Sequence, residues 1–323
     1  MNDVTIVVLN YRTADLTIQC LDSLVQETQE EIAVEIVVVD NDSGDKSLTD
    51  IQAWIEGNGL TGKIRVLGAE ANRGFSNGNN LGIAAEKASF YLLINSDALL
   101  QSGALKELLG TFANAEDIGL VSPRLISADK TEQQSCFRFA SPLSELVRAA
   151  GTSFVTRAAS RHVVALENQK NLTYPEWTSF ACVMIRKDVF EEIGHLDEGF
   201  FMYFEDAEFC WRAAASGWRT ANNPAAKAIH LRGQSSSVKA RQKSKWRMPK
   251  YYYESRTRFF FKLYGYTGLV FANLCWTAGW FIANFRSVVQ KSFRNPACEG
   301  EALGIWSNVL QPLKTYTHPG NAP

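Results

Sequence analysis

Two adjacent carboxylates, Glu205 and Asp206, have the setting best suited to chemistry in this 323-residue chain. They directly follow the apolar and aromatic run 200–204 (FFMYF). Aromatic neighbours desolvate a carboxylate and raise its proton affinity, so such a side chain can serve as a general base. A helix predicted at 207–216 and closed by Gly217 places both carboxylates in its first turn, where the helix dipole favours the anion. The alternative interpretation is an acidic N-cap over a hydrophobic core.

Polar residues follow the ends of several predicted strands. Runs rich in Val, Ile and Leu at 4–9, 35–39, 64–67 and 90–94 alternate with helical stretches, which indicates an α/β protein with a mostly parallel sheet flanked by helices. Ligands of such sheets bind at the carboxyl ends of the strands. The polar residues at these ends are Asn10, Asp40, Asp42, Asn95, Ser96 and Asp97. The cluster 40–43 is either a self-contained turn or a place where a carboxylate holds a pyrimidine base or a ribose.

The segment 72–82 (NRGFSNGNNLG) is rich in glycine and opens a predicted helix. Glycines let a backbone approach a ligand, and a helix N-terminus binds anions. Arg73, followed by Gly74, is the natural donor to a phosphate or ribose oxygen. The segment matches neither G-x-G-x-x-G nor a Walker loop and does not follow the first strand, which argues against a dinucleotide or ATP site.

A candidate metal site combines Asp97 with His230. A carboxylate at a strand end among other oxygen donors suits Mg²⁺ or Mn²⁺ bridging a diphosphate. His230, after the segment 225–229, completes a manganese sphere or is an ordinary hydrogen-bonded histidine at a strand end. Trp177, at the start of another predicted strand, stacks on a sugar ring or belongs to the core.

Charge is distributed unevenly, although the net charge is −1. Residues 1–226 carry 18 Lys and Arg against 31 Asp and Glu, whereas 227–262 carry 11 against a single acidic residue, Glu254. The segment 263–285 then contains no charged residue. The basic band suits phosphates, either of anionic lipid, of a lipid pyrophosphate or of nucleic acid. The uncharged, aromatic segment predicts interfacial or re-entrant helices, a buried or dimer-forming helical pair, or a true span. We therefore expect a domain at 1–235 and a helical, membrane-associating extension at 236–323.

The remaining features limit the class of protein. Six scattered cysteines without a C-x-x-C pair indicate free thiols in a reducing compartment, and the N-terminus shows no signal peptide. A nucleotidyltransferase would carry a basic glycine-rich loop after the first strand, where this chain has 10–13 (NYRT). The uncharged segment beside the basic band points to lipid and argues against nucleic acid.

Six motifs in order resemble inverting glycosyltransferase family 2, and most of all bacterial rhamnosyltransferases that build O-antigen, cell-wall or capsular chains. The matching segments are 5–11 (TIVVLNY), 37–43 (VVVDNDS), 72–82, 93–97 (LINSD), 200–212 (FFMYFEDAEFCWR) and 229–235 (IHLRGQS). The resemblance covers about residues 3–262. It implies a GT-A fold, a nucleotide-sugar donor and a divalent cation, Mg²⁺ or Mn²⁺.

The resemblance also implies roles for single residues. Asp40 and Asp42 would lie at the base and ribose with Arg73 beside them, Asp97 would bind the metal, and His230 would support it. Asp206 would be the general base, with Glu205 orienting a neighbour or the acceptor. The family's metal motif is often D-x-D, and here Asn95 occupies its first position, which leaves one anionic ligand.

The expected function is transfer of L-rhamnose from dTDP-rhamnose to a hydroxyl of a polyprenyl-pyrophosphate-linked saccharide or growing glycan, as in lipopolysaccharide O-antigen synthesis. Another donor such as UDP-galactose is the alternative, as is a non-catalytic, membrane-associated subunit that binds sugar nucleotides. We expect a cytoplasmic protein, peripheral on the inner face of the cytoplasmic membrane, and a homodimer remains open.

Overall fold

The computed structural model describes residues 2–28, 32–231 and 244–318. The chain forms two compact units: unit one is 1–136, 167–198 and 209–235, and unit two is 137–166, 199–208 and 236–323. The domain boundary expected between 235 and 236 falls outside the described residues. Unit two also includes 137–166 and 199–208, which the expected domain 1–235 contains.

The strands are mostly in unit one. They are β1 (Asn2–Asn10), β2 (Val34–Asp40), β3 (Ile64–Gly68), β4 (Ala88–Asn95), β5 (Ala98–Leu100), β6 (Ile118–Ile126), β7 (Cys136–Phe137), β8 (Trp177–Thr178), β9 (Cys182–Arg186) and β10 (Arg219–His230). Eight of them form one sheet in the order β3-β2-β1-β4-β9-β6-β10-β5. The pairs β1–β2, β1–β4, β2–β3 and β6–β10 are parallel, and β9 and β5 pair antiparallel with their neighbours. The mostly parallel α/β sheet is confirmed.

The helices are α1 (Ala14–Glu27), α2 (Ser47–Gly57), α3 (Gly74–Ala85), α4 (Ala104–Phe112), α5 (Pro142–Ala150), α6 (Ser153–Ala158), α7 (Lys187–Ile193), α8 (Glu205–Ala215), α9 (Lys250–Val289) and α10 (Glu301–Gly304). Gly151 ends α5 in a left-handed conformation, with φ 52°. The strand expected over 177–185 divides into β8 and β9, because Ser179 Oγ accepts a hydrogen bond from the Ala181 amide and forms a turn.

Two glycines of α3 allow that helix to lie directly on the sheet. A Cβ at Gly78 would come within 3.0 Å of Leu9, and a Cβ at Gly82 would come equally close to Val7. Any larger residue would push the helix away from the strands. These two glycines therefore serve helix–sheet packing, whereas the sequence had suggested close approach of a ligand.

In unit two, α9 packs on α5 over a core of Ala149, Met248, Tyr253, Trp276 and Ile305. A Cβ at Gly279 would come within 3.0 Å of the Leu146 carbonyl oxygen, so glycine is needed where the two helices cross. The helix breaks at Gly265, whose φ of 66° and ψ of −170° are essentially restricted to glycine. The uncharged segment 263–285 therefore straddles a break and is not one straight helix.

The part of α9 after Gly265 carries an apolar stripe on its solvent side. The exposed members are Tyr266, Val270, Phe271, Leu274, Phe281, Ile282, Phe285, Val288 and Val289. Within the described ranges, α9 is the helix long and apolar enough to cross a bilayer by length and composition alone, a weak indication because buried core helices pass the same test. We call this set of side chains the apolar stripe.

Three cations of the basic band, residues 227–262, pair with acidic residues inside unit two. Arg256 is 1% exposed and bonds Glu145, and Lys262 pairs with the fully buried Glu208. Lys250 lies 3.6 Å from Glu254. Arg256 and Lys262 neutralise buried carboxylates, so these two cations are not available to the anion-binding surface expected from the sequence. The Lys250 side chain is exposed, and the stretch 232–243 lies outside the described residues, so that expectation stays a prediction.

Candidate functional site

Asp40, at the end of β2, shapes the turn that follows it. One carboxylate oxygen, Oδ2, accepts hydrogen bonds from Asn10 Nδ2 and Ser43 Oγ, each at 2.6 Å, and Oδ1 accepts from the Ser43 amide at 3.0 Å. Asp40 is therefore 5% exposed, whereas Asp42 is exposed at the turn with φ 56°. The cluster is therefore a turn that presents one carboxylate, Asp42, to solvent, and contact with a base or a ribose stays a prediction.

Asn10 links this turn to the end of β4. Its Oδ1 accepts from Thr17 Oγ1 at 2.8 Å and from Thr13 Oγ1 at 3.1 Å. Thr13 Oγ1 in turn lies 3.0 Å from Ser96 Oγ. The structure thus joins Asn10, Asp40 and Ser96, three of the expected strand-end residues, in one hydrogen-bonded network.

Arg73 and Gly74 connect to the same edge through Asn41. Asn41 Nδ2 donates to Asn72 Oδ1 at 3.1 Å and to the Gly74 carbonyl at 3.2 Å. Gly74 opens α3 with φ 89°, and Arg73 is exposed just before it. Arg73 is therefore an exposed residue between two residues, Asn72 and Gly74, that are bonded to the Asp40–Ser43 turn.

Asp97 and His230 lie together, as the sequence predicts. Asp97 is fully buried, and its Oδ1 is 3.4 Å from His230 Nε2. Gln133 Nε2 donates to the His230 carbonyl and to Ser127 Oγ, so its Oε1, 3.2 Å from His230 Nδ1, is an acceptor. Gln133 therefore orients the imidazole ring of His230 with Nε2 facing the carboxylate of Asp97.

A carboxylate oxygen and an imidazole nitrogen that face each other are a donor set that fits a divalent ion. Two ligands of one Mg²⁺ or Mn²⁺ ion stand about 3 Å apart, close to the separation of Asp97 Oδ1 and His230 Nε2. Asn95 is half-buried at the end of β4. In the described part of the chain no group of three or more His, Cys, Asp or Glu side chains is placed to hold a metal ion, so the remaining ligands would include substrate and water.

The acidic pair lies in unit two, at the start of α8. Glu205 is 6% exposed, and within the described ranges its Oε2 has no hydrogen-bond partner. Burial, and then the charge of Asp206, raise the pKa of Glu205 well above its usual value, so the neutral acid is favoured. Asp206 is half-buried and its Oδ1 accepts from the Ala207 amide at 2.8 Å. The two carboxylates are therefore unequal, and Asp206 is the accessible one.

The backbone before this pair is held in a strained conformation. Tyr203 and Phe204 both have positive φ, 73° and 71°, which costs about 1–2 kcal/mol for each residue with a side chain. Aromatic packing holds them there, since Phe204 lies 5.3 Å from Phe259 between ring centroids and Tyr203 lies 5.8 Å from Tyr252. Strain of this kind concentrates at functional sites.

Several supporting residues gave no clear signal in the sequence. Gln133 lies in a polar, loop-rich stretch, and nothing in its context indicated a role beside His230. Asn77 and Asn80 of α3 donate to the two oxygens of Glu198 at 2.9 Å and 3.0 Å, so that part of the glycine-rich segment braces the loop before residue 199. Trp177 is half-buried, and its stacking on a sugar stays a prediction.

The fold and these residues define a glycosyltransferase with a GT-A type fold. The chain belongs to the family described as glycosyltransferase like family 2, whose sequence profile matches residues 2–248. The resemblance inferred from the six motifs is thereby confirmed.

Known relatives are similar at low identity. The low-salt glycan biosynthesis hexosyltransferase Agl10 of Haloferax volcanii is 28% identical over 71% of this chain and 67% of its own length. An N-acetylglucosaminyl-diphospho-decaprenol L-rhamnosyltransferase of Mycobacterium tuberculosis is 24% identical over 54% of this chain, which spans only 60% of that protein. The mannosyltransferase PcManGT of Pyrobaculum calidifontis, solved with GDP-Man and Mn²⁺, superposes with a TM-score of 0.57 at 14% identity, covering 97% of this chain and 84% of that one.

Proposed function

We propose that the protein is an inverting glycosyltransferase that moves L-rhamnose from dTDP-rhamnose to a hydroxyl of a lipid-linked or growing saccharide. The observation that carries the proposal is the inequality of the acidic pair, with a half-buried Asp206 beside a buried Glu205. The motif resemblance and the rhamnosyltransferase name of the mycobacterial relative support the donor. The decaprenol diphosphate in that name supports a lipid-linked acceptor.

The proposed step balances as a single displacement. Asp206 takes the proton of the acceptor hydroxyl while the oxygen of that hydroxyl forms a bond to the anomeric carbon of the donor. The bond from that carbon to the diphosphate breaks on the opposite face. The nucleoside diphosphate leaves with the electron pair. Unit one binds the donor through Asp42, Arg73 and the network of Asn10, Asp40 and Ser96, while the arginine offsets charge on phosphate.

Asp97 and His230 would hold the divalent cation in this proposal, with Gln133 orienting the imidazole ring. When bound, such an ion supplies positive charge that stabilises the leaving diphosphate. Solved structural neighbours that contain Mn²⁺ support this assignment.

Calorimetric titration with dTDP-rhamnose, UDP-galactose and GDP-mannose, with and without Mn²⁺, tests the donor. We expect dTDP-rhamnose to bind most tightly and only with the metal. Tight binding of a different donor would refute rhamnose. Donor binding by a protein that transfers no sugar to any acceptor would support the non-catalytic subunit.

Direct Mn²⁺ titration tests the metal site without any turnover. We expect Asp97→Asn to abolish binding and His230→Ala to weaken it at least about tenfold, as loss of a ligand does. Asn95→Asp adds a second carboxylate and should tighten binding. His195→Ala, an exposed histidine stacked on Phe190, is the matched control and should bind Mn²⁺ like the wild type. Unchanged affinity in Asp97→Asn would refute the site.

We further propose that the apolar stripe of α9 lies in the interface of the cytoplasmic membrane. Phe271, Phe281 and Phe285 are 50%, 62% and 74% exposed, and Arg286, Lys291 and Arg294 follow close behind in the sequence. Aromatic rings with adjacent cations suit an anionic bilayer surface. A second copy of the chain is the other candidate to cover the stripe.

Co-sedimentation with vesicles that contain phosphatidylglycerol tests this placement. We expect the triple variant Phe271→Ser/Phe281→Ser/Phe285→Ser to lose about tenfold in partitioning for each ring removed. Phe154→Ser removes a phenylalanine of similar exposure (80%) on α6 and should partition like the wild type. Unchanged sedimentation of the triple variant with vesicles would contradict the membrane placement. If the wild type is also a dimer in lipid-free ultracentrifugation and the triple variant is a monomer, the apolar stripe is instead a homodimer interface. These substitutions are preferable to deleting 263–323, which would also remove residues packed on α5.

A further inference from the structure

Four aromatic side chains from three parts of unit two meet around Phe201, which shortly precedes the acidic pair in the chain. The ring centroid of Phe201 lies 5.0 Å from Tyr251, 5.1 Å from Tyr316 and 5.7 Å from His318. Phe201 is 5% exposed, whereas the other three are half-buried. Three rings thus rest on a buried one and keep part of their own surface in solvent. We call these four residues the aromatic platform.

A buried carboxylate holds the segment that carries two members of the platform, Tyr316 and His318. Glu254, 5% exposed, accepts from the Thr317 amide at 2.8 Å and from Thr317 Oγ1 at 2.9 Å. Lys250 Nζ donates to the same hydroxyl at 3.0 Å. Because Thr317 stands between Tyr316 and His318, these hydrogen bonds fix the backbone that carries both rings.

The platform has the chemistry of a carbohydrate-binding surface. A sugar ring presents weakly apolar C–H faces, which pack on rigid aromatic rings, and a rim of hydroxyls. Tyrosine hydroxyls and imidazole nitrogens both donate and accept hydrogen bonds, so the edges of Tyr251, Tyr316 and His318 match that rim.

The position of the platform relates it to the proposed general base. The ring of Tyr203 is parallel to that of Tyr251, with an interplanar angle of 5° and centroids 6.5 Å apart. Tyr203 precedes Asp206 by three residues, which span at most about 11 Å. A saccharide whose acceptor hydroxyl lies at Asp206 can therefore reach the platform with a neighbouring sugar unit.

We propose that the aromatic platform binds a sugar unit of the acceptor saccharide, at least one unit away from the hydroxyl that Asp206 deprotonates. The inference rests on the proposed function and makes it specific: the acceptor is an oligosaccharide, and residues beyond 248, outside the family profile, recognise it.

Transfer to decyl-diphosphate-linked saccharides of one, two and three hexose units tests the proposal. We expect the wild type to use the two- and three-unit acceptors with a KM at least about fivefold below that of the one-unit acceptor, the gain available from aromatic stacking. Tyr316→Ala should raise the KM for the longer acceptors by a similar factor and leave donor affinity, measured by calorimetry, unchanged. Tyr316→Phe keeps the ring and should retain most of the preference for long acceptors.

The outcomes separate this inference from the function on which it rests. If the wild type binds no nucleotide sugar and transfers none, the proposed function fails. If it transfers sugar but Tyr316→Ala keeps the full preference for long acceptors, the platform is not the acceptor surface. If Tyr316→Ala and Tyr316→Phe both lose donor affinity and hydrogen-exchange protection, the assignment of the platform as the acceptor surface is also wrong. Tyr316 would then have a structural role. Phe154→Ala, an exposed ring elsewhere in unit two, is the control.

Discussion

Asp206→Asn is expected to lower kcat by about 10²- to 10⁴-fold, the usual effect of losing a general base. Asparagine keeps the shape of the side chain and accepts a hydrogen bond from the Ala207 amide as Asp206 does, so the fold should be retained. Single-turnover kinetics with saturating donor and acceptor measures the effect, and calorimetry verifies that donor affinity is unchanged.

Glu205→Gln is the matched control for this prediction. Because burial and the charge of Asp206 raise the pKa of Glu205, the folded protein favours the neutral acid, which glutamine imitates. Because the pKa is higher in the folded state than in the unfolded state, the wild type loses stability as the pH rises above the ordinary pKa of a glutamate. Glutamine cannot ionise, so the variant should be at least as stable as the wild type at neutral pH. We expect its kcat to stay within about tenfold of wild type. The reverse order, with Glu205→Gln inactive and Asp206→Asn active, would assign the base to Glu205.

Arg256→Met should cost unit two about 3–5 kcal/mol of unfolding free energy, the usual effect of removing one partner of a buried ion pair. The Arg256 guanidinium bonds Glu145 Oε2 at 2.7 Å and Asn273 Oδ1 at 2.7 Å, and both partners are buried. The substitution leaves Glu145 with Arg148 as its cation, 2.9 Å away. Urea denaturation followed by hydrogen exchange of α9 peptides measures the loss and assigns it to unit two.

An exposed ion pair provides the comparison. Arg65 pairs with Glu86 at 2.9 Å, with side chains 51% and 31% exposed, and Arg65→Met should change the unfolding free energy by less than about 1 kcal/mol. A double variant, Glu145→Leu with Arg256→Met, removes both buried charges and should recover part of the lost stability. Equal effects of Arg256→Met and Arg65→Met would show that the buried network contributes nothing.

The same network predicts the response of unit two to acid. Burial alone would raise the pKa of Glu145, but Arg148 and Arg256 overcome it and lower the pKa from 4.5 to about 2. A depressed pKa means that this stabilisation is complete above pH 4.5 and is lost as pH falls toward 2. Exchange protection of α5 and α9 should therefore fall over that interval.

The residues at the strand ends were predictable because parallel strands bring their carboxyl ends to one edge. Hydrophobic runs located β1, β2 and β4, and that geometry placed Asn10, Asp40 and Ser96 together. Ligand chemistry suggested the pairing of Asp97 with His230 and the family resemblance supported it, although 133 positions separate the two residues in the sequence. The role of Gln133 requires three-dimensional contacts and has no sequence pattern.

Other features could not be predicted because their partners are distant in the chain. A cluster of basic residues suggested an anion-binding surface, yet Arg256 is satisfied by Glu145, which lies 111 residues earlier. The glycines of α3 suggested ligand contact, yet Gly78 and Gly82 face Leu9 and Val7. In both cases the packing partner decides what the residue does, and the sequence pattern does not reveal that partner.

The strained loop before the acidic pair has a consequence for how such enzymes diverge. The family profile ends at residue 248, but the backbone at Tyr203 and Phe204 is held by Tyr252 and Phe259, and Ser255 Oγ bonds the Met202 carbonyl. A recombination junction at 248 would separate the proposed base from the side chains that set its backbone. Exchange of the C-terminal segment between homologues therefore requires compensating changes in 199–204, and chimeras that transplant both stretches together should be the active ones.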